Sequence, residues 1–198
     1  MAVSVFSPLT VSSPAVEILA LAVSFVLLPV VLLPVQILLV NLVTDGLPAV
    51  ALGMEPPEKD IMSLPPRRSD EGFFSGGLMG RIVFRGILIG LSTLGSFGTV
   101  MRMGGSVEAC RTAALITLVV SQLIHVFECR SEKRSLFRLN PFGNMKLVGA
   151  AALSAAVLAA AVMVPQLQVV FSTVAPDIMQ LLTALGFSAA VPVICGII

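Results

Sequence analysis

The sequence predicts an all-α fold, a polytopic membrane helix bundle with about six transmembrane helices. The 198-residue chain is 57% hydrophobic and only 12% charged, whereas about a quarter of the residues in a soluble domain are charged. Its apolar residues also come in long blocks rather than in amphipathic stripes. A spanning helix needs about 20 mostly apolar residues, and several of these blocks reach that length.

Each block predicts one span, and a short turn separates the first span from the second. The second span is the least regular, and the fourth is interrupted by Gln122 and His125. The predicted spans are residues 14–33, 34–54, 81–103, 107–128, 147–164 and 175–198.

The charged residues predict the topology. Ten of the twelve Lys and Arg residues lie in or beside two loops, residues 55–80 and 129–146. Arg102 and Arg111 lie on the opposite side. Because positive charge favours the cytoplasmic side, both loops and both termini are predicted to be cytoplasmic.

Small residues predict how two of the spans pack. Gly86 and Gly90 have G-x-x-x-G spacing in the third span, and Ala151, Ala155 and Ala159 recur four apart in the fifth. Such faces let helix backbones approach closely in lipid. The alternative is that Gly and Ala are simply common in membrane helices.

Polar residues in the second span predict a cation site. Asn41, Thr44 and Asp45 have helical spacing that places them on one face. Gly46 and Pro48 follow, and a proline lacks the N–H that would bond to the residue four earlier. We therefore expect the helix to be unwound from Asp45 to Pro48, with carbonyls freed. Carboxylate, amide, hydroxyl and carbonyl oxygens together suit a hard cation such as calcium.

Two further polar residues could face the same centre. Glu17 lies in the first span and Gln122 in the fourth. An acidic residue inside a bilayer is commonly on an ion path, but Glu17 could also be a protonated structural carboxyl, and Gln122 could only bridge helices. His125 and Glu128 are predicted to be interfacial, and Gln36 to be hydrated. The scattered cysteines and the one histidine predict neither a disulfide framework nor a zinc site.

Two stretches resemble a known family. The stretch Leu32–Arg67, with its N-L-V-T-D-G-L-P motif and Pro-rich loop, resembles the sixth helix of P-type calcium-transporting ATPases of the sarco/endoplasmic reticulum type and their bacterial relatives. The stretch Ser121–Phe137 resembles the end of their eighth helix. The resemblance implies that residues 1–198 are the C-terminal transmembrane domain, with family helices five to ten.

The resemblance also implies a set of metal ligands. In this family the fifth helix supplies an Asn and a Glu, and these positions hold Pro14 and Glu17 here. The eighth helix of two-calcium pumps supplies a Glu where this chain has Gln122. Both departures weaken the same site, so one cation site is implied, centred on Asp45 with Asn41. The implied metal-binding set is Asn41, Thr44, Asp45, Glu17 and Gln122.

The implied function is that of the membrane transport half of an ATP-driven calcium pump. The family's phosphorylated D-K-T-G-T motif does not occur here, so we expect no ATP hydrolysis by this chain alone and predict no catalytic residue. ATP and magnesium would act only through missing cytoplasmic domains, and calcium would be the transported substrate. The implied partners are the lipid bilayer and the N-terminal pump half, with no nucleic acid. Two alternatives are a non-enzymatic remnant or accessory membrane protein, and a pump half for another cation such as sodium, protons or manganese.

Overall fold

The computed structural model describes residues 31–54, 78–129 and 144–197, and within them every regular element is a helix. The predicted all-α bundle is therefore confirmed. The elements are α1 (Pro34–Val40), a π-helical segment (Asn41–Gly46), α2 (Leu47–Gly53), α3 (Leu78–Arg102), α4 (Val107–Glu128), α5 (Met145–Met163), α6 (Pro165–Phe171) and α7 (Ile178–Ile197).

Among the described residues, four helical segments are long and apolar enough to cross a membrane. They are Pro34–Gly53, Met79–Arg102, Val107–Glu128 and Met145–Met163, and α7 contains a shorter apolar stretch, Ile178–Ile194. They match the second to fifth predicted spans. Most of the first predicted span and most of both predicted loops lie outside the described residues. The pass count and the side of each terminus therefore stay predictions.

Helices α3, α4 and α7 pack against one another and enclose most of the core. Two hydroxyls, each bonded at 2.8 Å to a carbonyl of its own helix, also lie within bonding distance of a carbonyl on the facing helix and so join α4 to α7. Thr117 Oγ1 donates to the carbonyl of Ala184 at 3.4 Å, and Ser188 Oγ donates to the carbonyl of Thr117 at 3.2 Å. Ser92 Oγ on α3 donates to the carbonyl of Phe187 on α7 at 3.1 Å. These bonds and the apolar core fix the three helices relative to one another.

Gly95 of α3 lies in close contact with Phe187 of α7. A Cβ atom at Gly95 would lie 2.6 Å from Cε1 of Phe187, whereas a Cβ at Gly98 would meet nothing within 4 Å. We therefore expect Gly95→Ala to destabilise the protein by about 1–3 kcal/mol through overpacking. Gly98→Ala is the matched control and should be neutral or slightly stabilising, because Ala favours the helix. Thermal unfolding of both variants in micelles tests this, and equal midpoints would contradict it.

A second group of contacts joins the second span to α5. Ala51 and Leu52 of α2 pack with Val126 of α4 and Leu147 of α5 in a small apolar cluster. Asn144 caps α5 by accepting from the Leu147 N–H at 3.1 Å, and its Nδ2 donates to the carbonyl of Ala51 at 3.3 Å. The cap of one helix therefore also fixes the end of another.

The packing face of α5 differs from the predicted alanine stripe. Ala151 is buried, but Ala155 and Ala159 are exposed, so the predicted stripe does not pack against the described helices. In the third span, Gly86 and Gly90 are both buried, as close packing requires. The buried residues of α5 are Leu147, Ala151, Ser154, Leu158, Ala161 and Val162.

Gln36 is not hydrated, contrary to the prediction. Its side chain is fully buried at the start of α1. Its Oε1 accepts from the N–H of Leu33 at 3.0 Å, and its Nε2 donates to the carbonyls of Phe171 and Ser172 at 3.1 and 3.3 Å. Gln36 therefore ties α1 to the end of α6.

Candidate cation site

The middle of the second span leaves the α-helical pattern at residues Asn41–Gly46. These six residues form a π-helix, with α1 before it and α2 directly after it. The predicted departure from α geometry occurs, but the prediction that the chain is unwound is wrong, since it stays helical. A widened turn keeps backbone groups bonded within the chain, which an unwound segment at membrane depth would not do.

Pro48 gives a physical reason for this local change. It is the second residue of α2, a position whose N–H an α-helix does not need. For the preceding turn, however, the missing N–H of Pro48 removes a possible hydrogen-bond donor. It can serve neither the carbonyl of Thr44 in an i→i−4 register nor that of Val43 in an i→i−5 register. Any donor to these two carbonyls must therefore come from a residue other than Pro48.

Ser154 of α5 supplies that donor. Its side chain is fully buried, and Val43 is 3% exposed. The hydroxyl of Ser154 donates to the carbonyl oxygen of Val43 at 2.5 Å. The π-helical segment is therefore bonded by a side chain to the neighbouring helix, close to the proline that lacks a backbone N–H.

The predicted ligands fall in different parts of the molecule. Asn41, Thr44 and Asp45 all lie in the π-helical segment, and Asn41 is exposed. Gln122 is 5% exposed and lies in α4. Glu17 lies outside the described residues.

Helix α4 borders the π-helical segment and also contacts α1 and α2. The three predicted ligands of the second span thus lie in the π-helical segment, and Gln122 lies on an adjacent helix. The available donors are amide, hydroxyl, carboxylate and carbonyl oxygens, which are the ligands that hard cations prefer. Within the described ranges, no group of three or more His, Cys, Asp or Glu residues could hold a metal ion.

A separate polar cluster lies at the end of α4. His125 Nδ1 is 3.2 Å from Oε2 of Glu128, and Nη2 of Arg85 on α3 is 3.6 Å from the same oxygen. Sγ of Cys129 is 3.6 Å from Nε2 of His125. Since His125 and Glu128 are 4% and 9% exposed, this cluster is a buried link between two helix ends and not an open site.

Two residues of this region were not singled out as structural by the sequence. Ser154 lies in an apolar, alanine-rich helix. Its hydroxyl could have indicated a hydrogen bond to another helix, because a polar group in lipid needs a partner. Gln36 follows a proline near the start of α1, and its position gave no sign of the distant carbonyls of Phe171 and Ser172 that it bonds.

Comparison with known proteins confirms the resemblance predicted from the sequence. The family described as "Cation transporting ATPase, C-terminus" matches residues 29–198. The chain is 45% identical over 175 residues to a calcium-transporting ATPase of Bacillus subtilis, covering 87% of this chain and 20% of that protein. It is 34% identical over 157 residues to calcium-transporting ATPase 1 of Lactococcus lactis, covering 79% and 17% of the two chains.

A third relative matches over a shorter range. The chain is 39% identical over 111 residues to a calcium-transporting ATPase of Listeria monocytogenes, covering 56% of this chain and 12% of that protein. In all three matches this chain spans a fifth or less of the relative's length.

Proposed function

Because the chain belongs to the family of cation-transporting ATPase C-terminal regions, we propose that it forms the membrane half of an ATP-driven calcium pump and supplies intramembrane calcium ligands. The observation that carries this proposal is the π-helical segment. It places Asn41, Thr44 and Asp45 within six residues, in the middle of a segment long enough to span a membrane. An acidic residue inside a membrane is energetically costly and commonly marks an ion path.

The proposed site is centred on Asp45, with Asn41 as its nearest companion. A π-helical register aligns positions four to five residues apart more closely than positions three apart. We therefore expect residue 45 to share a face with Asn41, and residue 44 to contribute less. The exposure of Asn41 is consistent with a site that further helices complete.

Other ligands complete the proposed coordination shell. Calcium takes six to eight oxygens, and residues 41, 44 and 45 offer about four if the carboxylate is bidentate. Glu17 is proposed as a second acidic ligand on the basis of the family resemblance. Gln122 is proposed as a minor, neutral ligand, and this lack of charge favours one calcium ion over two. Backbone carbonyls, waters and the N-terminal half of the pump would supply the rest.

The N-terminal half is the proposed partner, and ATP and magnesium would act through its cytoplasmic domains. The relatives are at least five times longer than their match to this chain, which leaves room in them for such domains. The chain would then be a multi-pass component of a translocase, with both termini in the cytoplasm.

Transport by a hybrid pump tests the proposal. In this hybrid pump the chain replaces the matched region of the Bacillus subtilis calcium-transporting ATPase. We expect ATP-driven calcium uptake into vesicles, with the unmodified relative as the positive control. Sodium should not compete with calcium, and manganese should compete weakly. Uptake of manganese or sodium in place of calcium would favour another cation, and a well-expressed hybrid that transports none of these cations would favour a remnant or accessory protein.

A further inference from the structure

The contact between Ser154 and the Val43 carbonyl joins two helices, and its acceptor lies in the π-helical segment. Hydroxyls in membrane helices commonly bond to a carbonyl one turn back in their own helix. Thr93, Thr99 and Thr183 each follow that pattern, with partners four residues earlier. The hydroxyl of Ser154 bonds instead to a carbonyl of the neighbouring span.

That carbonyl belongs to the segment in which the proposed ligands lie. Val43 precedes Thr44 and Asp45, and its carbonyl loses a backbone donor if the i→i−5 register continues to Pro48. In the dry interior an unbonded carbonyl would be costly. The Ser154 hydroxyl therefore favours the backbone arrangement in which this carbonyl points to α5.

The same contact makes the Val43 carbonyl unavailable as a ligand for a cation on the other side of the segment. An oxygen that accepts a hydrogen bond from α5 is directed toward that helix. The backbone of the π-helical segment is then oriented, and the neighbouring positions 44 and 45 are oriented with it. Asn144, ten positions earlier on the same chain, fixes the far end of α2 through Ala51, so α5 holds the second span at two heights.

We infer that Ser154 is a positioning residue of the cation site: its hydroxyl, bonded to the Val43 carbonyl, holds the ligand-bearing π-helical segment in its binding geometry. Ser154 does not touch the cation in this arrangement. It acts through the backbone of residues 41–46. The inference rests on the proposed function for its effect on calcium, but not for the contact itself.

The contact can be observed directly in the chain reconstituted in lipid bilayers. Val43–Thr44 is the sole Val-Thr pair in the sequence. Labelling with carbonyl-¹³C valine and ¹⁵N threonine therefore isolates the Val43 carbonyl in a solid-state NMR correlation experiment. Loss of the hydrogen bond in Ser154→Ala should shift this carbonyl resonance upfield, and Ser154→Thr should restore it.

Ser188→Ala is the matched control. Ser188 is also fully buried, and its hydroxyl contacts a carbonyl of another helix, that of Thr117 at 3.2 Å, besides the carbonyl of Ala184 in its own helix at 2.8 Å. This contact joins α7 to α4 and does not involve the π-helical segment. Ser188→Ala should leave the Val43 resonance in place.

The effect on the site is measured by calcium uptake in the hybrid pump. In Ser154→Ala the calcium concentration for half-maximal uptake should rise about three- to tenfold, the range that one hydrogen bond supplies. The maximal rate should stay within about twofold. Ser154→Thr should restore the half-maximal concentration, and Ser188→Ala should leave it unchanged.

Each other outcome overturns the inference at an identifiable step. An unshifted Val43 resonance in Ser154→Ala would show that the contact is absent. A shifted resonance with an unchanged half-maximal concentration would show that the contact does not position the site. An equal loss of maximal rate in Ser154→Ala and Ser188→Ala would show a merely structural role. If the parent hybrid does not transport calcium, the proposed function fails and the positioning role fails with it, while the NMR result still decides the contact.

Discussion

Asp45→Asn is expected to abolish ATP-driven calcium uptake by the hybrid pump, with a loss of about a hundredfold or more. The substitution keeps the size of the side chain and removes its charge. Asp45 is the acidic residue of the segment Asn41–Gly46, so no neighbour within it can replace that charge. A dication inside a membrane needs compensating negative charge, and removing one partner of a buried ion pair costs about 3–5 kcal/mol, equivalent to roughly a hundredfold or more in binding.

Substitutions of two other proposed ligands serve as comparisons for Asp45→Asn. Thr44→Ala should reduce the apparent calcium affinity by a smaller factor, because a hydroxyl is a weaker ligand than a carboxylate. Gln122→Ala should have the least effect, because water can replace a neutral amide. All variants should be compared at equal expression in vesicles. If Asp45→Asn transported calcium as well as the parent does, the site would be misplaced.

Gln36→Glu should be the most destabilising of the conservative substitutions in the described helices. The substitution preserves the shape of the side chain but replaces the amide NH₂ with an oxygen. The carboxylate could still accept from the Leu33 N–H, but it would face the carbonyls of Phe171 and Ser172 with no proton to donate. Leaving buried acceptors without a donor costs about 1–3 kcal/mol, and burying a charge adds to this.

Thermal unfolding in detergent micelles measures this effect. The thiol of Cys110 is fully buried, so its reaction with a maleimide dye reports unfolding of the helix bundle. We expect a midpoint about 5–10 °C lower than that of the parent. Gln166→Glu is the control, because Gln166 is exposed on α6. Equal midpoints for the two variants would contradict the structural role of Gln36.

The sequence was sufficient to predict the second to fifth spans, because long apolar blocks depend on composition and not on tertiary contacts. It was also sufficient to locate the irregular part of the second span, since Gly46 and Pro48 act locally. It could not predict how the irregularity is resolved. The choice between an unwound chain and a π-helical turn depends on whether a neighbouring helix offers a donor, and Ser154 lies 111 residues after Val43.

The packing face of α5 shows a second limit. This helix is apolar on nearly all sides, so the pattern of hydrophobic residues does not separate a buried face from a lipid-facing one. Small-residue spacing then favoured Ala151, Ala155 and Ala159. The observed face is set by the Ser154 and Asn144 contacts to the second span, which no periodicity within α5 encodes.

The π-helical turn also determines which side of the second span faces each neighbouring helix. A π-helical turn takes up about one residue more than the α-turn that it replaces. Deleting one residue of Asn41–Gly46 would restore an unbroken α-helix and rotate α2 by about 100° relative to α1. Ala51 and Leu52 would then turn away from Leu147, although every apolar residue of α2 would remain. The extra residue thus acts as a rotational offset, by which one continuous span presents one side to α6 at its start and another side to α5 at its end.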